Sequence, residues 1–140
     1  LQFLAEEYRQ HWEAAMEASH YGLDNLCAIV DCNGLQIDGF VDDVMRIEPL
    51  ADKYRAFGFH VVSIDGHDPA QILYAFQQAR QQKGRPTVIM AQTVKGKGVE
   101  CMENVCGWHG KVPNVELARD ALQQLGLTDT IDVARLLLPG

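Results

Sequence analysis

The sequence predicts an α/β fold: a partial parallel sheet flanked by helices, with further helices at its C-terminal end. Three observations carry this. The apolar runs Leu26–Val30 and Thr87–Ala91 have the length and composition of buried strands, and Phe59–Ile64 alternates towards a third. Between them lie segments whose apolar residues recur at three- and four-residue intervals, the period of a helix packed on one side. Strands alternating with helices in this order build parallel sheets joined by right-handed crossovers.

The first helix is read from Leu1, Leu4, Tyr8, Trp12, Ala15 and Met16, which share one face, while Glu6, Arg9, Gln10, Glu13 and Glu17 fall away from it. Gly22 ends it, because glycine tolerates the left-handed geometry that closes helices. The run Leu26–Val30 is apolar at every position, as expected of a strand covered on both faces. Pro49 opens a helix through Leu50, Tyr54 and Phe57 that Gly58 closes. After the strand Phe59–Ile64, Asp65-Gly66-His67-Asp68-Pro69 combines a turn, a capping acid and a proline at the first helical position. Ile72, Leu73, Phe76 and Ala79 then mark a helix that Gly84-Arg85-Pro86 breaks before the strand Thr87–Ala91. Residues 114–125 and 130–138 read as two terminal helices, and no repeat or low-complexity linker appears. Three strands leave sheet edges open, so either a partner covers them, with self-association most simply as a homodimer expected, or the chain is part of a larger domain.

The 140 residues fit a single domain that buries a core without disulfides or metals. With 12 basic against 19 acidic side chains the net charge is −7, which argues against extended nucleic-acid binding. No run approaches the roughly 18 apolar residues of a membrane helix, and Leu1–Arg9 lacks the pattern of a secretory signal. Cys27, Cys32, Cys101 and Cys106 do not fall in a CxxC pattern, so structural thiols and a cytoplasmic setting are expected.

Three polar, glycine-bearing loops stand out. Asp31-Cys32-Asn33-Gly34-Leu35-Gln36-Ile37-Asp38-Gly39 and Thr93-Val94-Lys95-Gly96-Lys97-Gly98 each follow an apolar strand, where open α/β sheets place ligands. Gly107-Trp108-His109-Gly110-Lys111 comes shortly after. Together they suggest a phosphate- or cofactor-binding surface. Lys95 and Lys97 read equally well as a phosphate clamp or as solvated charges. His67 reads as part of the turn and cap more than of any chemistry, and His11 and His20 do not form a metal pair.

These loops, with Trp12-Glu13-Ala14-Ala15-Met16, His20-Tyr21-Gly22-Leu23-Asp24-Asn25-Leu26, Glu48-Pro49-Leu50-Ala51-Asp52-Lys53, Asp65-Gly66-His67-Asp68 and Met102-Glu103-Asn104, resemble transketolase. The likeness covers residues 12 to 125 and is to the diphosphate-binding domain carried by the N-terminal subunit of split transketolases. It implies a thiamine-diphosphate-binding fold and transfer of a two-carbon ketol unit between sugar phosphates. It also implies a divalent ion, Mg2+ or Ca2+, held by the acid of a Gly-Asp-Gly motif, an asparagine and a backbone carbonyl. By that pattern Asn33 and Leu35 are the metal ligands, and Ile37 lies against the thiazolium ring. Lys95, Gly96 and His109 approach the diphosphate or the substrate, His109 being the candidate catalytic residue. Glu13 matches a dimer-interface carboxylate, although its place off the apolar stripe suits a solvated face equally.

The family's Gly-Asp-Gly acid falls near position 3, where this chain reads Leu1-Gln2-Phe3-Leu4. The sequence is therefore read as one partial transketolase-like domain, truncated at its N-terminus and inactive alone. A pyrimidine-domain subunit is the partner this implies. The alternatives are a non-catalytic, self-associating protein or a binder of another phosphorylated metabolite.

Overall fold

The computed structural model describes residues 2–127, so the helix expected over 130–138 lies outside the described residues. In chain order the elements are α1 (Gln2–His20), β1 (Cys27–Cys32), β2 (Leu35–Gln36), β3 (Gly39–Phe40), α2 (Val41–Val44) and α3 (Leu50–Ala56). They continue with β4 (His60–Asp65), α4 (Pro69–Gln81), β5 (Thr87–Gln92), a 3-10 turn (Cys106–Trp108) and α5 (Val115–Gln124). The chain forms two compact units, Leu1–Cys32 with Ile47–Thr93 and Asn33–Arg46 with Val94–Gly140.

The first unit holds the expected parallel sheet, in the order β1-β5-β4. Thr87 of β5 pairs in register with Cys27 and His60, and Gln92 with Cys32 and Asp65. β5 is central because its residues Thr87 to Met90 are apolar or small enough to be enclosed on both faces, and all are buried. On one face Val88 and Met90 meet Ala15 and Ala18 of α1 and Leu50 and Tyr54 of α3. On the other, Ile89 packs with Val62, Ile64 and Ala75 of α4. Alanines at the points of closest approach let the helices sit directly on the sheet, and the aromatic rings fill the margin. Trp12 stacks on Phe57 at 5.3 Å, and Tyr54 meets Phe59 edge-on at 5.3 Å.

Local chemistry sets the ends of these elements. Gly22, at φ 59°, turns the chain out of α1 while its own N–H donates to Ser19 O and that of Leu23 to Ala18 O. At the start of α4 the Asp68 carboxylate accepts from the Ala70 N–H at 2.8 Å and from the Gln71 amide side chain at 2.9 Å. The Gln71 side chain chiefly, then the Ala70 N–H, hold this carboxyl below its ordinary range.

Two expectations need correction. β1 is not covered on both faces: it is an edge strand, and Ile29 is 58% exposed. Its apolar composition describes a buried strand, but α4 packs over β4 and β5, and no described strand pairs with its outer edge. The apolar stripes of α1 and α4 are also narrower than read, with Met16, Leu73 and Phe76 all exposed. Ala15, Ala18, Ala75 and Ala79, with Trp12 and Ile72 beside them, seat the helices, and Met16, Leu73 and Phe76 fall outside those faces. The strand boundaries also move by one or two residues, β1 running on through Asp31 and Cys32.

In the second unit, β2 and β3 form a small antiparallel hairpin with Leu35 opposite Phe40 and Gln36 opposite Gly39. Two-residue strands are too short to show a period, so the sequence reads only a turn here. The helix expected at 114–125 is α5, with the Asn114 side chain capping it by accepting from the Leu117 N–H at 2.9 Å.

Candidate functional site

In the first unit the strand ends are tied together rather than open. The Thr93 hydroxyl donates to the Asp31 carboxylate, and the Gly66 N–H donates to Gln92 O at 2.7 Å. A β-carbon on Gly66 would lie 2.5 Å from Thr93 Cγ2, so a side chain here would displace Thr93. The His67 N–H donates to the Asp65 carboxylate within the turn. Burial raises the thiol pKa of Cys27, and burial with the nearby Glu48 and Asp31 carboxylates raises that of Cys32. Neither is an activated thiolate.

The candidate site residues all belong to the second unit. The hairpin segment brings Asn33, Leu35 and Ile37 together. Asn33 Oδ1 accepts from the Leu35 N–H at 2.9 Å, closing a side-chain turn, and Gly34 follows it at φ 73°. Ile37 stands at the hairpin tip, an apolar side chain 66% exposed.

Lys95 and Gly96 sit in a loop closed on itself. The Asn104 N–H donates to Lys95 O at 2.9 Å across its neck, and Val99 is buried within it. Gly96 has φ 71°, and a β-carbon there would lie 2.5 Å from Met102 O. The two lysines read alike in the sequence, yet the structure separates them. Lys97 Nζ lies 3.8 Å from Glu103 Oε1, an oxygen that also accepts the Gly98 N–H at 2.9 Å. Lys95 is half-buried and its ammonium meets no carboxylate among the described residues.

His109 comes from a third segment, exposed just after the 3-10 turn, its N–H donating to Cys106 O. Trp108 anchors that turn through its indole N–H to Cys101 O at 2.7 Å, with Lys111 over its ring at 5.9 Å. Glu103 is the residue that sequence reasoning missed. Its signal was present, an acid five residues after Gly98 in a basic loop.

Comparison with known proteins decides what this arrangement belongs to. The family described as transketolase, thiamine diphosphate binding domain, matches residues 7–134. The chain belongs to the transketolase thiamine diphosphate-binding family. The 6-deoxy-6-sulfo-D-fructose transketolase subunit SqwG of Clostridium sp. (strain MSTE9) is 43% identical over 116 residues, 83% of this chain and 42% of that protein. One subunit of the apulose-4-phosphate transketolase of Phocaeicola vulgatus is 38% identical over 114 residues, 81% of this chain and 41% of that one. Among solved structures, transketolase from Campylobacter jejuni superposes with a TM-score of 0.80 at 33% identity, over 87% of this chain and 19% of that one. The chain thus spans 42% and 41% of the length of these two curated relatives.

The transketolase family match starts at residue 7, so Phe3 lies outside it. The donors of this chain suit the two parts of the cofactor unequally. A divalent ion such as Mg2+ takes about six oxygens. The residues named for it provide one amide oxygen, already accepting from the Leu35 N–H, and one carbonyl. No cluster of three His, Cys, Asp or Glu able to hold a metal occurs among the described residues. These residues do not make a metal site by themselves. A diphosphate fits better, since the half-buried Lys95 carries an uncompensated charge beside the bare backbone of Gly96. No helix among the described residues is long and apolar enough to cross a membrane.

Proposed function

We propose that this chain supplies the diphosphate-holding part of a transketolase that moves a two-carbon ketol unit between sugar phosphates. The observation that carries this is Lys95, whose ammonium has no carboxylate partner among the described residues while the adjoining Gly96 cannot accept a side chain. Thiamine diphosphate supplies, when bound, the electron sink that stabilises a carbanion. Lys95 and the Gly96 backbone hold its diphosphate, Ile37 offers an apolar surface to its ring, and His109 reaches its diphosphate end or the substrate. Asn33 and Leu35 contribute two oxygens towards Mg2+ or Ca2+, and the remaining donors and the pyrimidine domain come from outside the 140 residues.

Calorimetric titration of the chain with thiamine diphosphate, with and without magnesium, tests this reading. Weak binding that gains little from magnesium is expected. Lys95→Gln weakens it about tenfold, the worth of one charge-assisted hydrogen bond. A tight, magnesium-dependent isotherm refutes the shared-site reading, and an unaltered affinity in Lys95→Gln removes Lys95 from the site.

The open edge of β1, with Ile29 exposed beside it, supports self-association as a second element of the proposal. A second copy, a partner subunit or the remainder of a larger domain would cover that edge. Sedimentation at micromolar concentration is expected to show a dimer, and a monomer alone across that range counts against a second copy.

A further inference from the structure

We infer that Glu103 is a positioning residue that sets how strongly the Lys95–Gly98 loop holds a diphosphate, an inference that rests on the reading of Lys95 above. One carboxylate oxygen, Glu103 Oε1, does two things. It accepts the Gly98 N–H at 2.9 Å, which fixes the path of the loop, and it draws Lys97 Nζ to 3.8 Å. The Glu103 N–H donates to Val99 O and the Asn104 N–H to Lys95 O, so the acid is itself held by the loop it braces. Asn104 adopts φ 54°, asparagine being one of the few non-glycine types that enter this region at low cost.

Two free cations separated by a single glycine would make an indiscriminate anion trap, since inorganic phosphate and nucleotides would compete for them. With Lys97 engaged by Glu103, Lys95 is the lysine left without a carboxylate, and with Glu100 also inside it the Lys95–Asn104 loop carries a formal charge of zero. Selectivity of this kind comes from withholding attraction from the wrong partner as much as from adding it for the right one. Binding then depends on the rest of the ligand and not on phosphate charge alone.

The test is an amide chemical-shift titration of the full 140-residue chain with inorganic pyrophosphate, run on Lys95→Gln, Lys97→Gln, Glu103→Gln and the double variant E103Q/K97Q. Glu103→Gln keeps an oxygen for the Gly98 N–H but loses the charge, so that amide stays protected from exchange. Pyrophosphate then binds roughly three- to fivefold tighter, as expected for removing one nearby, partly screened negative charge and freeing a cation. In E103Q/K97Q most of that gain disappears, whereas Lys97→Gln alone changes affinity less than about 1.5-fold, because Glu103 already occupies that lysine. A glutamate acting only through its own charge would give additive effects, with Lys97→Gln alone weakening binding by about as much as Glu103→Gln strengthens it.

If Lys95→Gln weakens binding but Glu103→Gln leaves it unchanged or weaker with the Gly98 amide still protected, the inference about Glu103 falls and the site reading stands. The same conclusion follows if Lys97→Gln alone costs as much as Lys95→Gln, an outcome that does not depend on how well Glu103→Gln folds. If no variant binds, or binding does not depend on Lys95, both readings fall together.

Discussion

Gly96→Ala is expected to dismantle the loop that presents Lys95, and with it any diphosphate binding by the chain. At φ 71° a side chain costs about 1–2 kcal/mol through its clash with the following carbonyl. The β-carbon would also meet Met102 O at 2.5 Å, Met102 C at 2.7 Å and Met102 Cβ at 2.8 Å. Two of those atoms are backbone, so no rotamer change relieves the contact, and forced overpacking adds about 1–3 kcal/mol. The neck bond from the Asn104 N–H to Lys95 O is what gives way. Hydrogen exchange reads this directly: the Asn104 and Gly98 amides lose protection in Gly96→Ala. Gly110→Ala is the control, because nothing lies within 4 Å of its β-carbon position and its φ is not positive. Retained protection at Asn104 in Gly96→Ala would show that the loop is not built on this contact.

Tyr54→Ala is expected to cost the first unit about 3–5 kcal/mol, the range for removing a large aromatic from a packed core. Tyr54 is 2% exposed and joins both helices on that face of the sheet. Its ring meets Trp12 at 5.4 Å and Phe59 at 5.3 Å, and its hydroxyl shares a 2.6 Å hydrogen bond with His11 Nε2. Burial, with a lesser contribution from Cys32, raises its phenol pKa, so the neutral form persists well into the alkaline range. Tyr54→Phe keeps the ring and loses only the hydrogen bond, a change worth about 1 kcal/mol. Urea unfolding followed by circular dichroism separates the two variants. A loss for Tyr54→Ala no larger than that for Tyr54→Phe would mean that the aromatic cluster does not hold α1 and α3 to the sheet.

Much of the first unit was legible because its signals are local and periodic. The recurrence of Trp12, Ala15, Ile72 and Ala79 among polar residues, the Asp68-Pro69 start of α4 and the Gly22 stop each act within a few residues. What could not be read was neighbourhood. Ile29 sits in a run indistinguishable from a central strand, and its exposure depends on which strand lies beside β1. The β2–β3 hairpin escaped because each strand has two residues, fewer than any period requires.

The candidate site divides in the same way. The loops after β1 and β5, and the resemblance they carry, were plain in the order of residues, and the family comparison agrees with that reading. The division of labour between Lys95 and Lys97 was not. In the chain they are two lysines separated by one glycine, chemically alike.

The amino-acid sequence by itself determined the family, the parallel α/β framework and the set of loops that carry polar chemistry, because periodicity, caps and glycine positions are properties of short stretches of chain. Tertiary structure alone decided that β1 is an edge, that Gly96 can be nothing but glycine, and that Glu103 takes Lys97 and leaves Lys95. Each of these depends on atoms brought within a few ångströms by the folding of the loop or sheet, a proximity that spacing along the chain does not encode.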